Sequence, residues 1–170
     1  MITSKRLIKN NPLKEKFKRC SPYEFLVIMS SFGIHQIGSV RIEKESCYIE
    51  IYTPYTTGLR HIDNFSHVYI LWWISMRDNP QDRSTMLATP PRLEKTVETG
   101  VFSCRSPARP NPIGLTKVRL LKVENNRLYI DRIDAIDGTP VLDVKPYLPG
   151  DSTPISELKL PEWFEHLKKE

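Results

Sequence analysis

The chain has 170 residues, 39% of them hydrophobic and 26% charged, which is the composition of a globular protein with room for one core. Its longest apolar run, residues 68–74, is too short to span a bilayer, and no signal-peptide pattern precedes it, so the sequence predicts a cytoplasmic protein without a membrane partner. Three scattered cysteines, Cys20, Cys47 and Cys104, exclude a disulfide framework and a zinc site, and no metal is expected.

The net charge of +5 is concentrated at the N-terminus. Residues 1–28 hold seven basic and two acidic residues, so the other residues include eighteen of each. Bulk charge on the body therefore gives no argument for a nucleic-acid partner, and attraction to phosphates would come from this arm or from local patches. We predict a basic N-terminal extension over residues 1–28, which either contacts RNA or is a solvated tail.

The first half of the chain shows strand patterns. Residues 32–40 alternate in polarity and predict a strand, and residues 47–52 place Ile49 and Ile51 on one face of another. A turn over 53–58 and a short helix or turn over 59–65 follow. Residues 66–74 are so continuously apolar that we expect this strand to run through the middle of the sheet.

The second half contains a long loop, a hairpin and a helical tail. Residues 77–99 are polar, contain three prolines and show no sustained period, and loops of that length are usually functional or mobile. Segments 115–123 and 128–133 flank Asn125 and Asn126, which predicts a hairpin. A strand over 141–144 and an amphipathic helix over 161–169 follow, the latter within a predicted helical tail of residues 154–170.

About seven strands follow one another without crossover helices, alongside one or two short helices. This order predicts a mainly β protein, an antiparallel barrel or sandwich, and argues against a doubly wound fold. The absence of a G-x-G-x-x-G motif after a strand agrees with a non-Rossmann architecture.

Residues 100–112 depart furthest from ordinary loop composition. Pro107, Pro110 and Pro112 fix φ and remove three backbone donors, so the segment is expected to be a stiff, extended ribbon and neither a helix nor a central strand. Planar forks, a hydroxyl and an amide stand between the prolines, on Arg105, Ser106, Arg109 and Asn111. Such a ribbon is either a preorganised binding wall or a proline-rich surface loop whose arginines are solvated.

Three ordered motifs resemble the TrmO family, also called TsaA-like or YaeB-like. Residues 105–115 are similar to its R-S-P-x-R-P-N-P-I-G-L, and residues 137–147 to its D-G-T-P-V-L-D-I-K-P-Y, with Val144 in place of isoleucine. Residues 65–67 with the following apolar run resemble its F-S-H strand. The resemblance implies an S-adenosylmethionine-dependent tRNA methyltransferase, built as a homodimer of small antiparallel β-barrels with a few short helices. It places the barrel domain at residues 29–153.

The resemblance also implies the cofactor-binding residues. The family's donor pocket corresponds to Arg105, Leu115, Asp134, Asp137, Gly138 and Thr139, with Ser66 and His67 close to it. Taken alone, His67 is equally well a half-buried histidine at a strand end, and Asp137-Gly138 is a common hairpin turn.

The acceptor implied by the resemblance is the exocyclic nitrogen of a threonylcarbamoyl-adenosine beside the tRNA anticodon. This nitrogen is a poor nucleophile and the modification carries a carboxylate, so we expect Arg109 or Lys145 to pair with the carboxylate. Asp143 or Tyr147 would then assist proton removal. Asp143, Lys145 and Tyr147 share one face if the strand continues past Pro146, although a surface ion pair between the first two is the alternative.

Two departures from the family leave rival functions open. Residues 42–46 replace a serine-proline and basic, glutamine-containing loop that helps to hold the donor, unless residues 14–23 supply it. An extra C-terminal domain that grips tRNA in bacterial relatives has no counterpart, so RNA contact would rest on loop 77–99, the arm or a second subunit. The rivals are a methyltransferase for a small carboxylated metabolite and a non-catalytic S-adenosylmethionine-binding module.

Overall fold

The computed structural model describes residues 32–89 and 97–161, and the described residues from 35 onward belong to one compact unit. The strands are β1 Gly38–Ile42, β2 Cys47–Ile51, β3 His67–Trp73, β4 Leu87–Ala88, β5 Thr99–Gly100, β6 Ile113–Glu124, β7 Arg127–Ile130 and β8 Pro140–Pro146. A four-residue helix, α1, spans Pro80–Arg83. No helix in the described ranges is both long and apolar enough to cross a membrane.

Six strands close into an antiparallel barrel in the order β1-β2-β7-β6-β3-β8. Their inward side chains fill the barrel with branched aliphatic residues, among them Val40, Ile49, Ile70, Val118 and Leu128, each at most 1% exposed. The mainly β, antiparallel barrel fold predicted from the sequence is therefore confirmed. Strands β4 and β5 form a separate two-stranded sheet.

Strand β3 lies between β6 and β8, as its apolar sequence predicts. However, the expectation that both of its faces are covered is wrong within the described chain. Val68, Ile70 and Trp72 are buried, whereas the alternate residues are only partly buried. A small closed barrel has one core inside it, so every strand keeps an outward face.

Several element boundaries differ from the prediction. β1 begins at Gly38 and not at residue 32, because polarity alternation does not distinguish paired strand from unpaired extended chain. Loop 77–99 contains α1, and its middle, β4, pairs with β5 at its C-terminal end. The β6–β7 hairpin is confirmed, with Asn125 at φ 55° in its turn. The predicted helix 161–169 falls almost wholly outside the described residues, as do residues 1–28.

The barrel has two ends, which we call the upper rim and the lower rim. β1 ends, β2 begins, β3 ends and β6 begins at the upper rim, where residues 134–139 also lie. The lower rim carries Ser66, His67 and Tyr147. Because β3 has seven residues that rise about 3.3 Å each, His67 and Trp73 are separated by about 20 Å.

Candidate functional site

A groove at the upper rim brings four of the predicted cofactor residues together. The rim groove has a volume of about 240 Å³ and is walled by residues 72–76 on one side and 134–140 on the other. Asp134, Asp137, Gly138 and Thr139 thus share one cavity with the indoles of Trp72 and Trp73. Ligand pockets usually measure about 300–1,000 Å³, so this groove is small for a ligand pocket.

The turn at Asp137-Gly138 is part of the groove wall formed by residues 134–140. The Thr139 amide donates to the Ile136 carbonyl at 3.2 Å, and Gly138 has φ 78°, which is typical of a type II turn. The Gly138 amide also donates to the Val40 carbonyl at 2.8 Å, tying the turn to β1. The turn interpretation and the site interpretation are therefore compatible, because the same turn lines the groove.

Two carboxylates at the groove are each held by one oxygen. Asp137 Oδ1 accepts from the Ile42 amide at 2.9 Å, and Asp134 Oδ1 accepts from the Thr116 hydroxyl. The second oxygen of each has no partner among the described residues. Thr139 is only 6% exposed, and its hydroxyl makes no side-chain hydrogen bond within the described residues. Such a groove favours a ligand with cationic groups and hydroxyls.

Ser66 and His67 do not join the rim groove. They lie at the lower rim, where Ser66 Oγ is 3.0 Å from His67 Nδ1 and the imidazole packs edge-on against Tyr147. The expectation that both lie close to the donor pocket stays a prediction, since neither residue lines the rim groove of its own chain and His67 is about 20 Å from Trp73 at the upper end of β3.

A second group of predicted residues lies on the outer face of the barrel. We use outer face for the outward side chains of β3, β6 and β8 and the adjoining Tyr147, including His67, Tyr69, Leu115, Lys117, Asp143 and Lys145. Tyr147 packs edge-on against Tyr69, and Lys117 Nζ lies 4.6 Å from the Tyr147 ring centroid. Burial, followed by the charges of nearby groups, raises the pKa of Tyr69, which stays neutral at physiological pH.

Asp143 and Lys145 form the surface ion pair that the sequence left open. Their charged atoms are 2.8 Å apart, and this hydrogen bond raises the pKa of Lys145, which therefore remains a cation. Asp143 Oδ1 also accepts from the Val144 amide at 2.9 Å. An exposed pair of this kind contributes about 0–1 kcal/mol, so a substrate carboxylate can replace Asp143 at Lys145 with little loss.

The two ribbon arginines differ in what they contact. Arg109 turns back into the ribbon, where Nε donates to the Ser106 carbonyl at 2.8 Å and Nη2 donates to the Val101 and Cys104 carbonyls at 2.8 and 2.7 Å. Each bond from a charged donor contributes about 1.5–3 kcal/mol. This geometry argues against the predicted substrate contact of Arg109. Arg105 is exposed and is not among the residues that line the rim groove.

The ribbon contains a short 3-10 turn over Val101–Ser103 before its first proline and is irregular thereafter. It reaches the groove wall at its C-terminal end, where the Pro112 carbonyl accepts from the Ile74 amide at 2.8 Å. The segment after Arg41 is a tight turn in which the Glu43 amide donates to the Ser46 carbonyl at 2.8 Å. The alternative donor loop at residues 14–23 lies outside the described residues.

Sequence reasoning missed three residues that the fold brings into these sites. Trp72 and Thr116 support Asp134, and Lys117 covers Tyr147. The pair of tryptophans at the end of the apolar strand is the one sequence feature that would have indicated Trp72 as a site residue. A more open groove of about 500 Å³ lies elsewhere, beside Arg60 and Asn125, and contains none of the predicted residues. Over residues 32–89 and 97–161, no cluster of three or more His, Cys, Asp or Glu residues is suited to a metal ion.

Comparison with known proteins identifies relatives of this barrel. A 45% identical relative over 101 residues is the "S-adenosyl-L-methionine-binding protein" of Archaeoglobus fulgidus, with 59% of this chain and 68% of the relative aligned. The human "tRNA (adenine(37)-N6)-methyltransferase" is 46% identical over 97 residues, which are 57% of this chain and 21% of that protein. The chain therefore spans only part of its longer relatives.

Solved structures resemble the same region. The crystal structure of TrmO from Pseudomonas aeruginosa matches with a TM-score of 0.58 and 26% identity, covering 76% of this chain and 61% of that one. The family described as tRNA-methyltransferase O N-terminal domain matches residues 30–152. These residues include the upper rim, the outer face and the proline ribbon. The chain belongs to the tRNA-methyltransferase O N-terminal domain family.

Proposed function

We propose that this protein is an S-adenosylmethionine-dependent methyltransferase that acts on tRNA in the cytoplasm, at N6 of a threonylcarbamoyl-adenosine beside the anticodon. The observation that carries the proposal is the rim groove, where Asp134 and Asp137 each present a carboxylate beside two indoles. A sulfonium ligand has two positive groups and a ribose diol, which suit indole faces and carboxylate oxygens. The relatives named above support both the cofactor and the substrate class.

The reaction needs alignment more than chemical activation. The adenine N6 attacks the donor methyl, an N–C bond forms as the S–C bond breaks, and the N6 proton leaves for a base, giving S-adenosylhomocysteine. We assign Lys145 to the carboxylate of the threonylcarbamoyl group, because its pKa is raised and its present partner is easily replaced. Asp143 and Tyr147 are next to it and are the proposed proton acceptors.

We propose that the complete site forms across a homodimer. In one chain the groove is small and neither Ser66 nor His67 lines it, since His67 begins β3 about 20 Å from Trp73 at the groove end of the strand. A two-fold pair that places the outer face of one subunit over the rim groove of the other would unite them. It would also supply the wall that one chain lacks and bring Lys145 to the acceptor side.

A non-catalytic S-adenosylmethionine-binding module is the second candidate. It is favoured by the name of the Archaeoglobus fulgidus relative, which refers to binding alone. This candidate shares the rim groove with the first and differs in having no acceptor. Under it, neither the wild type nor variants at Asp143, Lys145 and Tyr147 would transfer a methyl group to tRNA.

Calorimetry and a methylation assay test the proposal together. We expect the protein to bind S-adenosylmethionine, and Asp137→Asn to weaken that binding at least tenfold because one charged contact is lost. Asp63→Asn, at the other groove beside Arg60, is the matched control. We then expect methyl transfer to tRNA carrying threonylcarbamoyl-adenosine, and at least tenfold slower transfer with Lys145→Ala. Cofactor binding without transfer to any tRNA would favour the second candidate, and no cofactor binding would refute both.

A further inference from the structure

A chain of two hydrogen bonds connects the barrel core to the Asp134 carboxylate. Trp72 Nε1 donates to Thr116 Oγ1 at 3.0 Å, and the Thr116 hydroxyl donates to Asp134 Oδ1. Trp72 is 8% exposed and belongs to the core cluster, whereas Asp134 is exposed at the groove. The chain therefore begins at a rigid indole and ends at the ligand-facing wall.

The direction of both bonds follows from the groups present. An indole N–H can only donate, so the Thr116 oxygen must accept from it. The single hydroxyl proton of Thr116 is then available for the carboxylate, which can only accept when ionised. Because the Trp72 N–H and the Thr116 hydroxyl both have a fixed direction, Asp134 Oδ1 accepts the Thr116 hydrogen bond and Oδ2 is the oxygen left for a ligand.

Close packing fixes the indole at the start of the chain. Gly114 lies opposite Trp72 on β6, and a methyl group built on Gly114 would overlap the indole ring of Trp72. The absence of a side chain at this position lets the ring lie flat against the strand. Gly114 precedes Thr116 by two residues, so the same stretch of β6 seats the indole and supplies the hydroxyl.

We propose that Thr116, oriented by Trp72, is a positioning residue that presents Asp134 to the cofactor. The inference rests on the proposed function, because it assumes that the rim groove binds S-adenosylmethionine. The ligand group in question is a hydroxyl or ammonium that donates to Asp134 Oδ2. Thr116 itself does not touch the ligand, so its effect must pass through Asp134.

A double-mutant cycle measured by calorimetry tests this chain. Thr116→Val removes the hydroxyl at nearly constant shape and should weaken S-adenosylmethionine binding roughly tenfold, as expected for a lost bond to a charged group. Thr116→Ser keeps the hydroxyl and should bind within about threefold of the wild type. Once Asp134→Ala is present, adding Thr116→Val should cause no further loss, because nothing is left to position. Thr57→Val, at the other groove, is the matched control.

A ligand-free measurement separates this inference from the proposed function. The indole N–H resonance of Trp72, assigned with Trp72→Phe, should shift on Asp134→Ala when Thr116 is present and should not shift in the Thr116→Val background. The inference would be overturned, and the proposed function kept, if the wild type binds S-adenosylmethionine and Thr116→Val binds it equally tightly. Additive losses of affinity in the cycle would have the same meaning. A wild type that does not bind S-adenosylmethionine would overturn the proposed function and this role with it.

Discussion

The shared site is tested most directly by mixing two inactive variants. His67→Ala changes the lower end of β3, and Asp137→Asn changes the rim groove, whose wall includes Trp73 at the other end of that strand, about 20 Å from His67. If each site combines the groove of one subunit with the outer face of the other, a mixed dimer contains one site without either substitution. If each chain holds its own site, every site in the mixture carries a substitution.

The expected recovery follows from random assortment. Equal amounts of the two variants, dissociated and reassociated, give half mixed dimers, and each mixed dimer has one intact site of two. Methyl transfer should therefore return to roughly a quarter of the wild-type rate, from a background at least tenfold lower for each variant alone. The assay is transfer of labelled methyl groups to modified tRNA, with subunit mixing checked by native mass spectrometry.

A double variant mixed with wild type provides the control. Its chains carry both substitutions, so each site of a mixed dimer contains one of them. Activity of an equal mixture should therefore fall to roughly a quarter of that of the same total amount of wild type, whereas dilution alone would leave a half. Mixed dimers of the single variants that show no recovery would refute the shared site. Recovery in the absence of mixed dimers would show that the two substitutions do not damage the sites as proposed.

Three further predictions concern the supports of the site. Gly114→Ala should lower the free energy of unfolding by about 2–3 kcal/mol, measured by urea denaturation, because the new methyl group overlaps the Trp72 indole. Arg109→Ala should speed trypsin cleavage within the ribbon at least tenfold, since three bonds that brace it are lost. The Trp73 indole holds the pKa of Asp78 below its usual value, with Arg83 assisting, so their contribution to stability is present at neutral pH. It is lost as pH falls below about 4, which Trp73 fluorescence should report.

Each of these has its own control. Gly150→Ala introduces a methyl group with no atom within 4 Å, so a similar loss at both glycines would contradict the packing argument. Arg109→Lys is the control that keeps the charge without the planar fork. An unchanged rate of cleavage in Arg109→Ala would show that the three Arg109 hydrogen bonds do not hold the ribbon in place. Asp78→Asn should abolish the acid step, and a step that persists would assign it to another carboxyl group.

Local patterns in the sequence predicted the elements that depend on neighbouring residues. The alternation around Ile49 and Ile51 gave a strand with one buried face, and Asn125 gave a tight hairpin because asparagine tolerates positive φ. The Asp137-Gly138 turn was equally readable, since glycine suits the left-handed position. Four predicted cofactor residues lie together because they follow one another within six positions of the chain.

Contacts between distant segments could not be read in the same way. His67 is only a few residues from Trp72 in sequence, but an extended strand separates its ends by its full length. The direction of the Arg109 side chain depends on three carbonyls whose placement the ribbon sets after folding. The partners Trp72, Thr116 and Asp134 come from three separate segments, and no local spacing connects them.

The sequence by itself determined a small antiparallel β protein, its family, and the stretches that carry the site chemistry, because turn preferences, strand periodicity and motifs are local properties of the chain. Only the tertiary structure decided which of those stretches meet. Closing six strands into a barrel fixed the register of β3 against its neighbours, which placed the aspartates at one rim and His67 at the other. That separation is the physical reason for expecting a second subunit to complete the site.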